Sequence, residues 1–125
     1  MNDTTTRWGL FPWFEEQGRD LIHPDDVATV RTLLPAGKVF RVLGEEDGFV
    51  RLRYGETEFR GRLPLFREIS AEIHEIGGAV RLEDGQIGEV LEVNWHHQRA
   101  EPMYQIRLGG KAKSKRYWNS DFASP

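Results

Sequence analysis

Apolar positions follow a helical period in one part of the chain and a strand period in the rest. Val27, Val30 and Leu34 recur at i, i+3 and i+7, which is one face of a helix. Pro24 suits the first helical position, Asp25 and Asp26 favour the positive end of the helix dipole, and His23 is a candidate N-cap. Pro35 stops the element. Upstream, Trp8, Phe11, Trp13 and Phe14 crowd together, and the segment predicts a turn followed by a short helix ending at Gly18.

From residue 37 the period falls to two. Residues 37–43 are β-rich, and residues 44–48 supply a turn. Val50, Leu52 and Tyr54 then alternate with Arg51 and Arg53. Gly55 and Glu56 form a two-residue loop of type II′, which sends residues 57–63 back with Phe59, Gly61 and Leu63 inward. That register sets Arg51 against Arg60 and Arg53 against Glu58. Residues 64–69 are expected to form one helical turn.

Strands are predicted again at 76–82, 86–95, 103–108 and 114–118, with a polar loop at 96–102 and a Gly-rich one at 109–113. The adjacent Val90 and Leu91 break the alternation and predict a bulge or bend near Gly88. Asn119 or Ser120 caps a last turn that ends at Phe122.

Composition narrows the class. With 125 residues, 38% of them hydrophobic and 30% charged, the chain has one domain's length and enough apolar content for a core. It has no cysteine, which excludes disulfides, thiol nucleophiles and Cys-zinc sites and points to a reducing compartment. No basic n-region with an apolar run opens the chain, and no apolar stretch approaches a membrane span, so the expected location is the cytoplasm. Net charge is −3, from 17 basic and 20 acidic residues. A dedicated polyanion binder is usually basic overall, so any nucleic-acid role here must be local.

Two patches are candidates for binding. Lys111, Lys113, Lys115 and Arg116 lead into Tyr117 and Trp118 with no acid between them. Cations interleaved with aromatics suit single-stranded RNA, whose bases stack while its phosphates pair; the same surface suits an acidic protein. The plainer reading is that Tyr117 and Trp118 close a core while lysines protect an edge strand. Arg51, Arg53, Arg60 and Arg62 form the second patch, on the outer face of one hairpin. Opposed like charges are destabilising, so this set asks for counter-charges from Glu58, Glu56 or a partner. Trp95 and His96 complete the candidate binding residues. The aromatic N-terminus is expected to pack as a plug, with an exposed partner anchor as the other possibility.

Catalytic signatures are sparse. No serine sits in a Gly-x-Ser-x-Gly elbow, and no phosphate-binding Gly-rich loop occurs. His96 and His97 are the residues a small metal-dependent hydrolase would use, but adjacent residues on an extended chain point to opposite faces. The expectation is a non-enzymatic protein with no metal and no cofactor.

Several of these residues carry a family resemblance. Leu34, Pro35 and Gly37, then Val42 and Leu43, then Gly48, Phe49 and Val50, then Phe59 and Gly61 resemble a bacterial SH3 domain. Phe49 stands where that family usually has tryptophan, and no second aromatic accompanies Gly61. Gly78 before Val80, the Asp84–Gly85 turn, Gly88 and the one-turn helix at 120–122 resemble the KOW and Tudor branch of SH3-like barrels. The whole chain is also similar to small bacterial proteins, some of them immunity proteins that sit beside toxin genes. The resemblance implies a mainly β fold. It consists of two small SH3-like barrels at 36–75 and 76–125, packed together, with a helical segment 1–35 at their junction. It also implies a binding role: a protein partner first, as in toxin neutralisation or an adaptor, or RNA, which KOW modules often bind.

Overall fold

The computed structural model describes residues 6–123. The fold is mainly β, and the chain divides into two compact units after Ser70, each with one antiparallel sheet. Among the described residues no helix is long and apolar enough to cross a membrane.

The first unit holds β1 (Trp8–Leu10), α1 (Val27–Leu33), β2 (Phe40–Glu46), β3 (Phe49–Tyr54), β4 (Thr57–Arg62) and β5 (Arg67–Ile69), with the sheet order β4-β3-β2-β1-β5. The central hairpin follows from its alternation. Val50 and Leu52 are fully buried, Arg51 lies opposite Arg60, and Arg53 lies opposite Glu58. Gly55 has the positive φ, 62°, that the first loop position of a II′ turn needs. The preceding turn is tighter than the expected 44–48: β2 runs on to Glu46, and Asp47 (φ 55°) and Gly48 (φ 82°) make the reversal alone. Two positive φ values are what a type I′ turn requires.

Residues 1–35 were expected to be helical and to lie at a junction. As far as they are described, they belong to the first unit. Trp8–Leu10 is a strand hydrogen-bonded to both β2 and β5. Phe11 and Trp13 are buried in the same core as Ile22, Phe40, Leu52 and Phe59. Between Trp13 and α1 the chain makes three short 3-10 turns. His23 does cap the last of them, its Nδ1 accepting from the Asp25 N–H at 3.1 Å. Val27 and Val30 face the core, but Leu34 is turned out and 67% exposed. The residue before a proline is pushed out of the right-handed helical region; Leu34 takes φ 56°, and this redirects its side chain. Residues 64–69, expected as a helical turn, split into a 3-10 turn at Leu63–Leu65 and the strand β5.

The second unit holds β6 (Ala79–Arg81), β7 (Ile87–His96), β8 (Glu101–Leu108) and β9 (Lys111–Ala112), in the order β6-β7-β8-β9. It starts at Ala71, five residues earlier than the expected 76. The break in alternation is real, and the register shifts between Val90 and Glu92. The shift falls two to four residues past Gly88, which is in regular pairing and leaves little room above Ile106 and Leu108. Residues 114–118 were expected as a full strand. Only Lys111–Ala112 pairs regularly; residues 114 and 115 bend away, and Tyr117 returns for a single bridge to Tyr104. A second bridge joins Leu82 to Phe122, so the C-terminal segment links β8 to the end of β6.

Tyr104 locks that segment. Its buried hydroxyl donates to Asn119 Oδ1 at 2.8 Å and accepts from the His74 N–H at 3.1 Å, while Asn119 Nδ2 donates to the Glu72 carbonyl. Burial pushes the phenol up to about 12, from an ordinary 10.0. The unfolded chain therefore loses this proton before the folded one, so stability that is intact below pH 10 is lost as pH rises toward 12. Tyr104→Phe is expected to lower stability at neutral pH by about 1–2 kcal/mol, because two polar groups lose their partner. It should also flatten the alkaline decline. Denaturant titrations at neutral pH and in the alkaline window check both effects.

Candidate functional site

The arginine patch lies where the alternation put it, on the outer face of the β3–β4 hairpin, and it is supplied with counter-charges. Arg60 is clamped by Asp26: Nε donates to Oδ2 at 2.9 Å, Nη2 to Oδ1 at 3.2 Å, and the Arg60 backbone N–H to Oδ2 at 2.8 Å. Burial alone would raise the Asp26 carboxyl, but these contacts with Arg60 outweigh it and hold the group below the usual carboxylate range. The stability carried by this clamp is therefore present above the ordinary carboxylate pKa and lost as pH falls below it. Arg51 has Glu58 at 3.8 Å, and Arg62 lies over the Phe49 ring, 4.2 Å from its centroid. Arg53 stands opposite Glu58. A cleft of about 300 Å³ beside the pair is lined by Asp26, Glu46, Arg51, Glu58, Phe59 and Arg60. Its two guanidinium groups are thus already matched by carboxylates.

Asp26 is the partner that the sequence reading assigned elsewhere. Its place at a helix start suggested a dipole role, yet its side chain makes no capping bond and turns to β4 instead. Glu56, the other counter-charge considered, has no ion pair among the described residues, whereas Asp25 approaches Arg60 at 4.0 Å.

The edge of the second unit is different. Lys111, Lys115 and Arg116 are exposed and Lys113 is half-buried. None of the four has an ion pair among the described residues; Lys115 lies over the Tyr117 ring, 4.9 Å from its centroid. The local fold explains this spacing. β9 places Lys111 opposite Leu108, and the Lys113 N–H donates to the Ile106 carbonyl. The chain rejoins β8 only at Tyr117, so Ser114, Lys115 and Arg116 loop out between two pairings. The run is therefore not one flat strip. Lys111 lies opposite Leu108, Lys115 sits over Tyr117, and Trp118 meets Arg99 and His96.

The aromatics also fill roles other than an open stacking platform. Tyr117 is buried and stacks on Phe122, with centroids 6.4 Å apart. Trp118 is half-buried, with Arg99 over its ring at 3.6 Å and the His96 ring edge-on at 5.4 Å. His96 thus joins the basic edge, a meeting that the chain separation hides. Trp95 is half-buried and pairs with Pro102, on the other face of β7 from His96. Arg99 was missed, because nothing in its own neighbourhood marks a turn residue as the cover of a tryptophan nineteen positions on. His97 is exposed in the hairpin turn, and the His96 Nδ1 already accepts from the Arg99 N–H at 3.1 Å. Among the described residues no group of three His, Cys, Asp or Glu side chains is placed to hold a metal ion.

No curated protein and no solved structure matches the chain. One family model does, described as a family of unknown function (DUF6960), and it covers residues 1–123.

Proposed function

The chain belongs to that family of unknown function, and we propose that it is a non-enzymatic binding module that recognises an acidic protein through the edge at residues 111–118. One observation carries the reading: Lys111, Lys113 and Arg116 have no carboxylate partner among the described residues, and Lys115 has only an aromatic one. In contrast, Arg60 and Arg51 of the hairpin patch are each held by acids of their own unit. Unspent charge at an exposed edge steers association and fixes register with an oppositely charged surface.

The RNA alternative has less support. Base stacking on aromatics supplies about 1–3 kcal/mol per base in single-strand binders. Here Tyr117 is buried, and the Trp118 ring already carries Arg99. An SH3-like reading of the first unit is supported by its strand order and by the 3-10 turn between its last two strands. Toxin neutralisation or an adaptor role are the forms such a module would take, and the absence of cysteine favours a reducing, cytoplasmic setting.

Amide chemical-shift mapping with an oligoglutamate peptide as probe tests the assignment. The largest shifts are expected at residues 111–118. Shifts centred on the 49–62 hairpin instead would overturn it.

A further inference from the structure

Arg99 is held on three sides. Its guanidinium carbon lies 3.6 Å from the centroid of the Trp118 ring. Its Nε donates to Glu101 Oε2 at 3.3 Å, and its backbone N–H donates to His96 Nδ1 at 3.1 Å. The turn that presents it is strained as well, since Ala100 has φ 52°, a conformation that non-glycine residues seldom adopt. Despite this anchoring the side chain is 46% exposed, and neither terminal nitrogen, Nη1 or Nη2, has a partner among the described residues.

Glu101 offsets the charge of Arg99 as Glu58 offsets that of Arg51, so what sets Arg99 apart is geometry: a ring on one face and a carboxylate at Nε fix its plane and leave two parallel N–H donors on its outer side. That fork matches the two oxygens of a carboxylate. The flexibility that usually penalises an exposed arginine in binding has already been given up in the free protein. The basic edge supplies the surroundings: Lys111, Lys113, Lys115 and Arg116 have no ion pair among the described residues, whereas Arg107 is held by Glu89 at 2.8 Å.

We propose that Arg99, stacked on Trp118, is a preorganised bidentate receptor for a carboxylate side chain and the specificity anchor of the contact made by the basic edge. This rests on the acidic-protein reading above. The lysines, in this arrangement, attract an acidic surface without a defined geometry. Arg99 then fixes one of its carboxylates in place, at the far side of the Ser114–Arg116 bend.

The discriminating substitution is Arg99→Lys, which keeps the charge and removes the fork. Affinity for an oligoglutamate peptide is measured for the wild type, Arg99→Lys, Arg99→Ala and a variant with Lys111, Lys113 and Lys115 all changed to Glu. Arg99 lies on an exposed turn, and a thermal melt confirms that each variant is folded. Arg99→Lys is expected to weaken binding about tenfold, close to the effect of Arg99→Ala. Wild-type affinity in Arg99→Lys, with binding lost in the lysine variant, would overturn the anchor and leave the acidic-protein reading standing. Unchanged affinity in every variant, or no peptide binding by the wild type, would overturn both. Tighter binding of an oligouridylate with the same Arg99 dependence would reassign the fork to phosphate and overturn the proposal.

Discussion

Phe11→Ala is expected to destabilise the first unit by about 3–5 kcal/mol, the usual range for a fully buried phenylalanine. Phe11 has no exposed surface. Its ring meets Phe59 edge-on at 5.4 Å, and Phe59 meets Phe40 in the same way at 5.3 Å. The Cζ end of the ring lies against Gly61, where a Cβ would collide with it. The same contact therefore predicts a second effect: Gly61→Ala overpacks the site and should cost about 1–3 kcal/mol. Both losses are large against the roughly 5–15 kcal/mol that a domain has in total. Chemical denaturation of each variant gives the values. A loss under about 1 kcal/mol for Phe11→Ala, far below the range for buried aromatics, would mean that the N-terminal segment is not part of this core.

Reversing the three lysines is expected to have the largest effect on function. Lys111→Glu, Lys113→Glu and Lys115→Glu together change the edge by six charge units. At about 0.5 kcal/mol per exposed charge interaction, the change comes to about 3 kcal/mol, or about 100-fold in affinity for an acidic peptide. Stability should hardly move, because none of the three has an ion pair to lose among the described residues. Arg51→Ala and Arg62→Ala are the matched controls. Arg51 faces Glu58 and Arg62 covers Phe49, so removing either should change peptide affinity less than about threefold. Titration calorimetry at low ionic strength separates these outcomes. Equal losses in both sets would point to net charge, with no particular surface responsible.

The fold was legible where periodicity spans several residues. Five residues of strict alternation, 50–54, placed Val50 and Leu52 inward and Arg51 opposite Arg60. The doublet Val90–Leu91 announced a register shift. His23 was readable as a cap because its neighbours Pro24 and Asp25 are helix-start residues. Short strands were not legible. Trp8–Leu10 and Arg67–Ile69 have three residues each and no period to detect; they exist because they pair with each other, and Trp8 and Ile69 lie far apart in the chain. The same holds at the candidate site. Its lysines were visible as a run of like charge. The partners that distinguish one patch from the other, Asp26 for Arg60 and Arg99 for Trp118, come from distant segments. Whether a charge is spent depends on such tertiary contacts, and a local pattern does not record them.

A direct comparison of an oligoglutamate peptide with an oligouridylate of similar charge, each titrated at low and moderate salt, tests the central claim most directly. The account predicts that the peptide binds more tightly and that its affinity falls as salt screens the edge. Tighter binding of the oligouridylate, or a peptide affinity that does not respond to salt, would contradict it.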